Sequence, residues 1–236
     1  MNYEDIIAHT YPKSPIAEAY RTLRTNIQYS NIDRKIKTLV ITSSGPMEGK
    51  TTTAVNLAST FAHQGSRVLL IDSDLRKPKV HEFFLFTNKN GLTNLIASHD
   101  DYKEYIVTCS IPNLDLLTSG IIPPNPSEIL ASDSMKQFIQ QVSSDYDIVI
   151  IDAPPVGIVT DAAIISTYVD GTILVANSGR VEIGAIKQAK GLLEQVNANI
   201  IGVVLNKLEK SDGKNKYSYQ YYYGRRDTEK TKIKRR

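Results

Sequence analysis

The sequence predicts an α/β fold: a mostly parallel sheet flanked by helices on both faces. Two observations carry that reading. Short apolar runs alternate with stretches of helical periodicity along the chain, at Arg67–Ile71, Leu114–Leu117, Asp147–Ile151, Thr172–Ala176 and Ile200–Leu205, which is the pattern of β-α units. The first run, from Leu39, leads into a glycine-bearing turn and then a helical stretch, LVITSSGPMEGKTTT. Strand, turn and helix in that order form a phosphate-binding loop, because backbone N–H groups and the positive end of the helix dipole converge on one anion.

The whole chain sets bounds on these elements. Its 236 residues, 41% hydrophobic, suffice for one substantial core with appendages. We expect a lead-in over residues 1–13, a domain over 14–210 and a basic tyrosine-rich tail over 211–236. No apolar run reaches the roughly 18 residues of a bilayer span, and the N-terminus has no basic segment followed by an apolar one. A cytoplasmic protein is therefore expected. A single cysteine, Cys109, excludes an internal disulfide and reads as a buried, inert thiol, and the four histidines lack ligand spacing. The net charge of +3 divides unevenly, since residues 207–236 carry +7 and leave −4 on the body. A basic tail on an acidic body can engage anionic lipid, nucleic acid or a neighbouring copy, or remain solvated.

In chain order, Ser14-Pro15 supplies an N-cap and first helical position. Ile16, Tyr20, Leu23 and Ile27 then make an apolar stripe, with Glu18, Arg21 and Arg24 spaced by three on another side. That row is either a solvated salt bridge or, with its planar guanidinium groups, a device for pairing subunits. The phosphate loop follows. Ser44, Gly45, Pro46, Met47, Glu48, Gly49, Lys50, Thr51 and Thr52 are its candidates, with Lys50 reaching phosphates and the Thr51 hydroxyl ligating Mg²⁺. Ser44 departs from the glycine that the strict G-x-x-x-x-G-K-[ST] pattern requires. The fold class becomes P-loop NTPase-like. Gly65 ends the helix, and RVLLI leads into Asp72-Ser73-Asp74, two carboxylates at the carboxyl end of a strand. Such a pair beside phosphates requires a cation between them.

Gly91-Leu92-Thr93 starts a short helix, the prolines of IIPPNP make an extended loop, and Ser127 caps the helix after it, with another over Asp133–Val142. Asp152, ending the next apolar run before Ala153-Pro154-Pro155, reads as a second metal-side carboxylate, and Thr160-Asp161 as a helix cap, with Asp161 also able to approach a partner. Asn206, at the end of the last run, is a candidate for contacting adenine. Beyond Lys210 the apolar periodicity stops, and Tyr217, Tyr219, Tyr221, Tyr222 and Tyr223 cluster in a segment without core-forming spacing.

With these motifs in place, the chain resembles the bacterial tyrosine kinases of the capsule and exopolysaccharide type, in the cytosolic form of Gram-positive bacteria. The resemblance rests on the Glu18, Arg21, Arg24 helix, the loop at 44–51, LLIDSDLRKP at 69–78, NLDLLTSGIIPPNPSEIL at 113–130, IDAPP at 151–155 and the tyrosine cluster. It implies ATP and Mg²⁺ as cofactors, with Lys50 and Thr51 serving phosphate and metal, Asp74 and Asp152 supporting the metal, and Asp72 as base, metal ligand or both. Phosphorylation of the five tail tyrosines and oligomerisation through Glu18, Arg21 and Arg24, with a ring as the expected form, are implied as well. A separate transmembrane activator and a cognate tyrosine phosphatase are implied partners, with recruitment to the inner face of the membrane and no nucleic acid. The competing class is a nucleotide-switch ATPase of the division-site or partition type, which usually carries a second lysine where this chain has Gly45 and needs no tyrosine tail. An adaptor that uses ATP only to shape its assembly is a third.

Overall fold

The computed structural model describes residues 3–30, 35–98 and 100–208, and the expected tail from 211 to 236, with its five tyrosines, lies outside them. The described chain starts with a 3₁₀ turn at Tyr3–Asp5, then α1 (Ile7–Thr10), α2 (Pro15–Gln28), β1 (Thr38–Ser43), α3 (Lys50–His63) and β2 (Val68–Asp72). Next come α4 (Val80–Phe84), α5 (Leu92–Ser98), β3 (Val107–Thr108), β4 (Leu114–Leu117), α6 (Pro126–Ala131), α7 (Asp133–Asp145) and β5 (Ile148–Asp152). The chain continues through α8 (Asp161–Ser166), β6 (Gly171–Asn177), α9 (Ile183–Gln195) and β7 (Ile200–Asn206). The sheet order is β3-β4-β2-β5-β1-β6-β7, and every pairing is parallel except that of the short edge strand β3.

β1, β2, β5 and β6 are buried at every position, which is why their central runs, such as VLLI in β2 and IVII in β5, are continuously apolar rather than alternating. One apolar cluster, with Val40, Leu69, Ile71, Phe138 and Leu193, fills one face, and another, with Leu39, Ile41, Leu57, Phe61 and Phe83, fills the other. β7, by contrast, leaves Val203 and Leu205 exposed. The register places Asp72 directly beside Asp152 and brings Ile41 level with Asp152. The carboxyl ends of β1, β2 and β5 therefore meet at one place.

Local chemistry explains the boundaries. Ser14 caps α2 by accepting from the Ala17 N–H, with Pro15 at the first turn as expected. Gly65, at φ +94°, follows the end of α3. The lead-in is held in the core: Ile6 is fully buried, and Asn56 of α3 accepts from the Ala8 N–H while donating to the Asp5 carbonyl.

Several expectations are corrected. Pro126 belongs to α6, whose N-cap is Asn125, so Ser127 lies inside the helix rather than capping it. Proline at N1 starts a helix because its missing N–H would be unpaired there anyway. α7 runs to Asp145 rather than to Val142. Thr160 makes no side-chain cap bond, and Asp161 is taken by an ion pair instead. Ile16, placed in the apolar stripe, is half exposed, while Ala17 and Ile27 are buried. Cys109 is only partly buried. His9 and His63, far apart in sequence, stack with a ring nitrogen separation of 3.1 Å.

Candidate active site

The loop between β1 and α3 wraps the start of the helix. Gly49 is its N-cap at φ +95°, and a Cβ there would lie 2.0 Å from the Asn206 amide nitrogen. Only glycine satisfies both the left-handed backbone and that approach. Asn206 donates to the Glu48 carbonyl at 3.0 Å and Lys207 donates to the Met47 carbonyl at 2.8 Å. In this structure, then, the Asn206 side chain braces the loop. The Ser43 hydroxyl donates to the Gly45 carbonyl, and the chain after β5 is tied to β1 by the Thr42 hydroxyl on the Pro154 carbonyl.

Lys50, nearly buried, points at the carboxyl ends of β2 and β5. Its ammonium lies 2.9 Å from Asp74, 3.5 Å from Asp152 and 3.3 Å from the Thr51 hydroxyl. Burial alone would lower its pKa, but Asp152 and Asp74 outweigh that and hold it above the usual lysine value. Asp152 is fully buried, and desolvation raises its pKa against the opposing pull of Lys50 and Thr51. Asp72, also fully buried, is pushed up to about 7, first by desolvation and then by Asp152.

The two carboxylates of the DSD segment do different things here. Asp74 holds Lys50 and accepts from the Lys77 N–H. Asp72 accepts from the N–H groups of Lys79 and Val80, fixing the entry to α4, and from that of Asp74. Three carboxylates thus face one lysine in a buried site, an imbalance that a hard cation with oxygen ligands corrects. Among the described residues no group of three carboxylate, histidine or cysteine side chains is placed to hold a metal alone, so a divalent cation here would take oxygens from phosphate and water besides those of the loop and strand ends.

Arg76, two residues beyond Asp74, was not singled out from the sequence. It forms a two-pronged pair with Asp161, at 2.8 and 3.0 Å, and Ser127 donates to the same carboxylate at 2.8 Å. Asp161 is fully buried, so this triad pins α6 and α8 to the loop that carries Asp74. Arg76 is separated from Asp161 by 85 positions, and the one sequence signal was its place beside the acidic pair.

Glu18, Arg21 and Arg24 lie apart from this centre, on α2. Glu18 and Arg21 pair on a half-exposed face, whereas Arg24 turns inward and donates to the Thr60 carbonyl of α3 at 3.1 Å. Thr60 stands ten residues along α3 from Lys50, about 15 Å by helix rise.

A parallel sheet, a glycine-lysine loop opening a helix and carboxylates at the adjoining strand ends define a P-loop nucleotide-binding protein that works with a divalent metal. The chain matches the family described as AAA domain over residues 37–200. It is 44% identical over 223 residues to the tyrosine-protein kinase YwqD of Bacillus subtilis, covering 94% of this chain and 92% of that one. It is 37% identical over 211 residues to the tyrosine-protein kinase CpsD of Streptococcus agalactiae, covering 89% and 90%. The kinase domain of the Escherichia coli tyrosine kinase ETK superposes with a TM-score of 0.81 at 32% identity, covering 89% of this chain and 84% of that one. The chain belongs to the bacterial protein-tyrosine kinases of the capsular and exopolysaccharide type. Its likeness to the Pyrococcus furiosus cell division ATPase MinD, at 23% identity and a TM-score of 0.63, is one of fold.

Proposed function

We propose that this tyrosine kinase uses Mg²⁺-ATP to phosphorylate the tail tyrosines Tyr217, Tyr219, Tyr221, Tyr222 and Tyr223 of a neighbouring copy. In this reading it regulates the synthesis and export of a surface polysaccharide. The observation that carries the reading is the buried set of Lys50, Asp72, Asp74 and Asp152 at the mouth of the phosphate loop.

In this reading Lys50 leaves Asp74 and Asp152 for the phosphate oxygens, and the loop's N–H groups hold the remainder of the phosphate charge. Thr51, Asp152 and Asp74 would hold Mg²⁺, which would offset the charge that develops on the transferred phosphate. Asp72 takes the proton of the attacking tyrosine hydroxyl, for which a carboxylate titrating near 7 is well placed. The tyrosine oxygen bonds to the γ-phosphorus, the bond to the bridging oxygen breaks, and ADP leaves. Asn206 braces the loop and stands as the candidate for adenine contact.

The partners follow from charge and family. The stretch from 207 to 236, at +7, is drawn to neighbouring bodies of −4, and each phosphotyrosine adds about −1.5 to −2. Heavy phosphorylation therefore reverses the attraction and loosens the oligomer, which the α2 row helps to close into a ring. A separate membrane activator recruits the kinase to the inner face of the membrane, and a tyrosine phosphatase resets the tail. Among the described residues no helix is long and apolar enough to cross a membrane.

The test mixes a Lys50→Met chain with a chain whose five tail tyrosines are phenylalanine, in labelled ATP. Label on the Lys50→Met chain's tail is expected, and it can arrive only from another molecule. No label there, with an active partner confirmed on an added tyrosine peptide, would overturn the transfer between copies.

A further inference from the structure

The first position of the phosphate loop is Ser44 where the strict pattern has glycine, and the structure gives that serine a specific partner. Its hydroxyl donates to Glu48 Oε1 at 2.6 Å, joining the first and fifth loop positions. Both residues are buried, Ser44 at 7% and Glu48 at 3% exposure. The other carboxylate oxygen, Oε2, is buried and has no hydrogen-bond partner among the described residues. Glu48 is held at its main chain too, through the Asn206 amide on its carbonyl. A Cβ at Gly45 would lie 3.1 Å from Oε1, so a side chain there would press directly on this bond.

A carboxylate is an unexpected tenant of a loop that receives phosphates, because like charges repel and burial weakens solvent screening. Its cost is offset in part by the bond it makes, since hydrogen bonds to ionised acceptors are short and strong. We propose that Glu48 is a positioning residue that ties the first and fifth positions of the loop together. In the same reading its charge sets how tightly nucleotide is held. The brace keeps the loop amides in place, and the negative charge speeds the release of spent nucleotide. This inference rests on the phosphate-loop assignment and adds to it a role for one side chain.

The experiment titrates the full chain with Mg²⁺-ADP by calorimetry, comparing wild type with Ser44→Ala, Glu48→Ala, the double variant and Glu48→Gln. Ser44→Ala, which removes the bond but leaves the charge, weakens binding by about tenfold; Glu48→Ala removes bond and charge together and weakens it less, and the double variant matches Glu48→Ala. Glu48→Gln keeps the acceptor but not the charge, and tightens ADP by roughly three- to tenfold. In nucleotide-free protein, Ser44→Ala speeds hydrogen exchange at the amides of residues 45, 47, 48 and 49, a change independent of any ligand. Additive losses in the double, or glutamine behaving like alanine, or all variants within about twofold of wild type, would each overturn the proposal. Should Glu48→Ala fail to fold, Ser44→Ala and Glu48→Gln still decide it. Wild type that fails to bind ADP would instead sink the loop assignment itself.

Discussion

Two ion clusters of similar composition behave differently in this molecule. On α2, Glu18 and Arg21 pair at 2.6 Å with side chains 41% and 35% exposed. At the phosphate loop, Lys50 meets Asp74 and Asp152, with 12%, 6% and 0% exposure. The α2 pair is balanced and in water, where ion pairs contribute little. The loop cluster is buried and carries surplus negative charge, which is costly unless a ligand completes it. Imbalance under burial, rather than the presence of charge, distinguishes a site from a surface.

The largest expected effect comes from unbalancing the loop cluster further. Lys50→Met should cut tyrosine phosphotransfer by at least about 100-fold, read with labelled ATP. It should also lower the melting temperature of the nucleotide-free protein, because the carboxylates lose their one cation. Arg76→Ala comes next, leaving Asp161 buried without its cation. A loss of about 2–3 kcal/mol is expected by urea titration, and Arg76→Lys should recover only part of it, since a lysine cannot make the two-pronged contact.

A subtler lever is pH. Asp72 is raised from 3.8 to about 7, so the folded protein keeps a proton that the unfolded chain releases. That contribution to stability is full below pH 3.8 and is lost as pH rises through 7. Metal binding favours the ionised carboxylate, so stabilisation by Mg²⁺-ADP should grow over the same range. Melting curves with and without the ligand at several pH values would show the two opposite slopes. The smallest effect belongs to α2: Glu18→Ala with Arg21→Ala should change stability by no more than about 0.5 kcal/mol. Arg24 is left intact because it holds the Thr60 carbonyl. A drop in oligomer mass by light scattering, at unchanged stability, would assign the pair to the subunit contact, and an unchanged mass would return it to solvent.

The sheet was legible because β1, β2, β5 and β6 are buried on both faces and their central runs are continuously apolar. The loop was legible because its chemistry is local, with residues 44–52 supplying most of it. What escaped was non-local. Asp161 followed a threonine at a helix start and so looked like a cap, while its partner Arg76 lay 85 positions away. Asn206 read as a ligand contact because it ends a strand, and only its distance to the Glu48 carbonyl shows the bracing. The differing tasks of Asp72 and Asp74 were hidden for the same reason, since the Lys79 and Val80 amides reach one and the Lys50 ammonium the other.

The bond from Asn206 to the loop has a further consequence, for reach. Asn206 and Lys207, near the end of the described residues, hold the chain's own phosphate loop. Tyr217 stands eleven residues beyond Asn206, a contour of at most about 36–40 Å. That contour is long enough for Tyr217 to reach the chain's own nucleotide site. Contour length alone therefore permits transfer within one chain as well as the proposed transfer between copies. Dilution separates the two directly: transfer to self keeps its rate as copies thin out, and transfer to a neighbour slows with them.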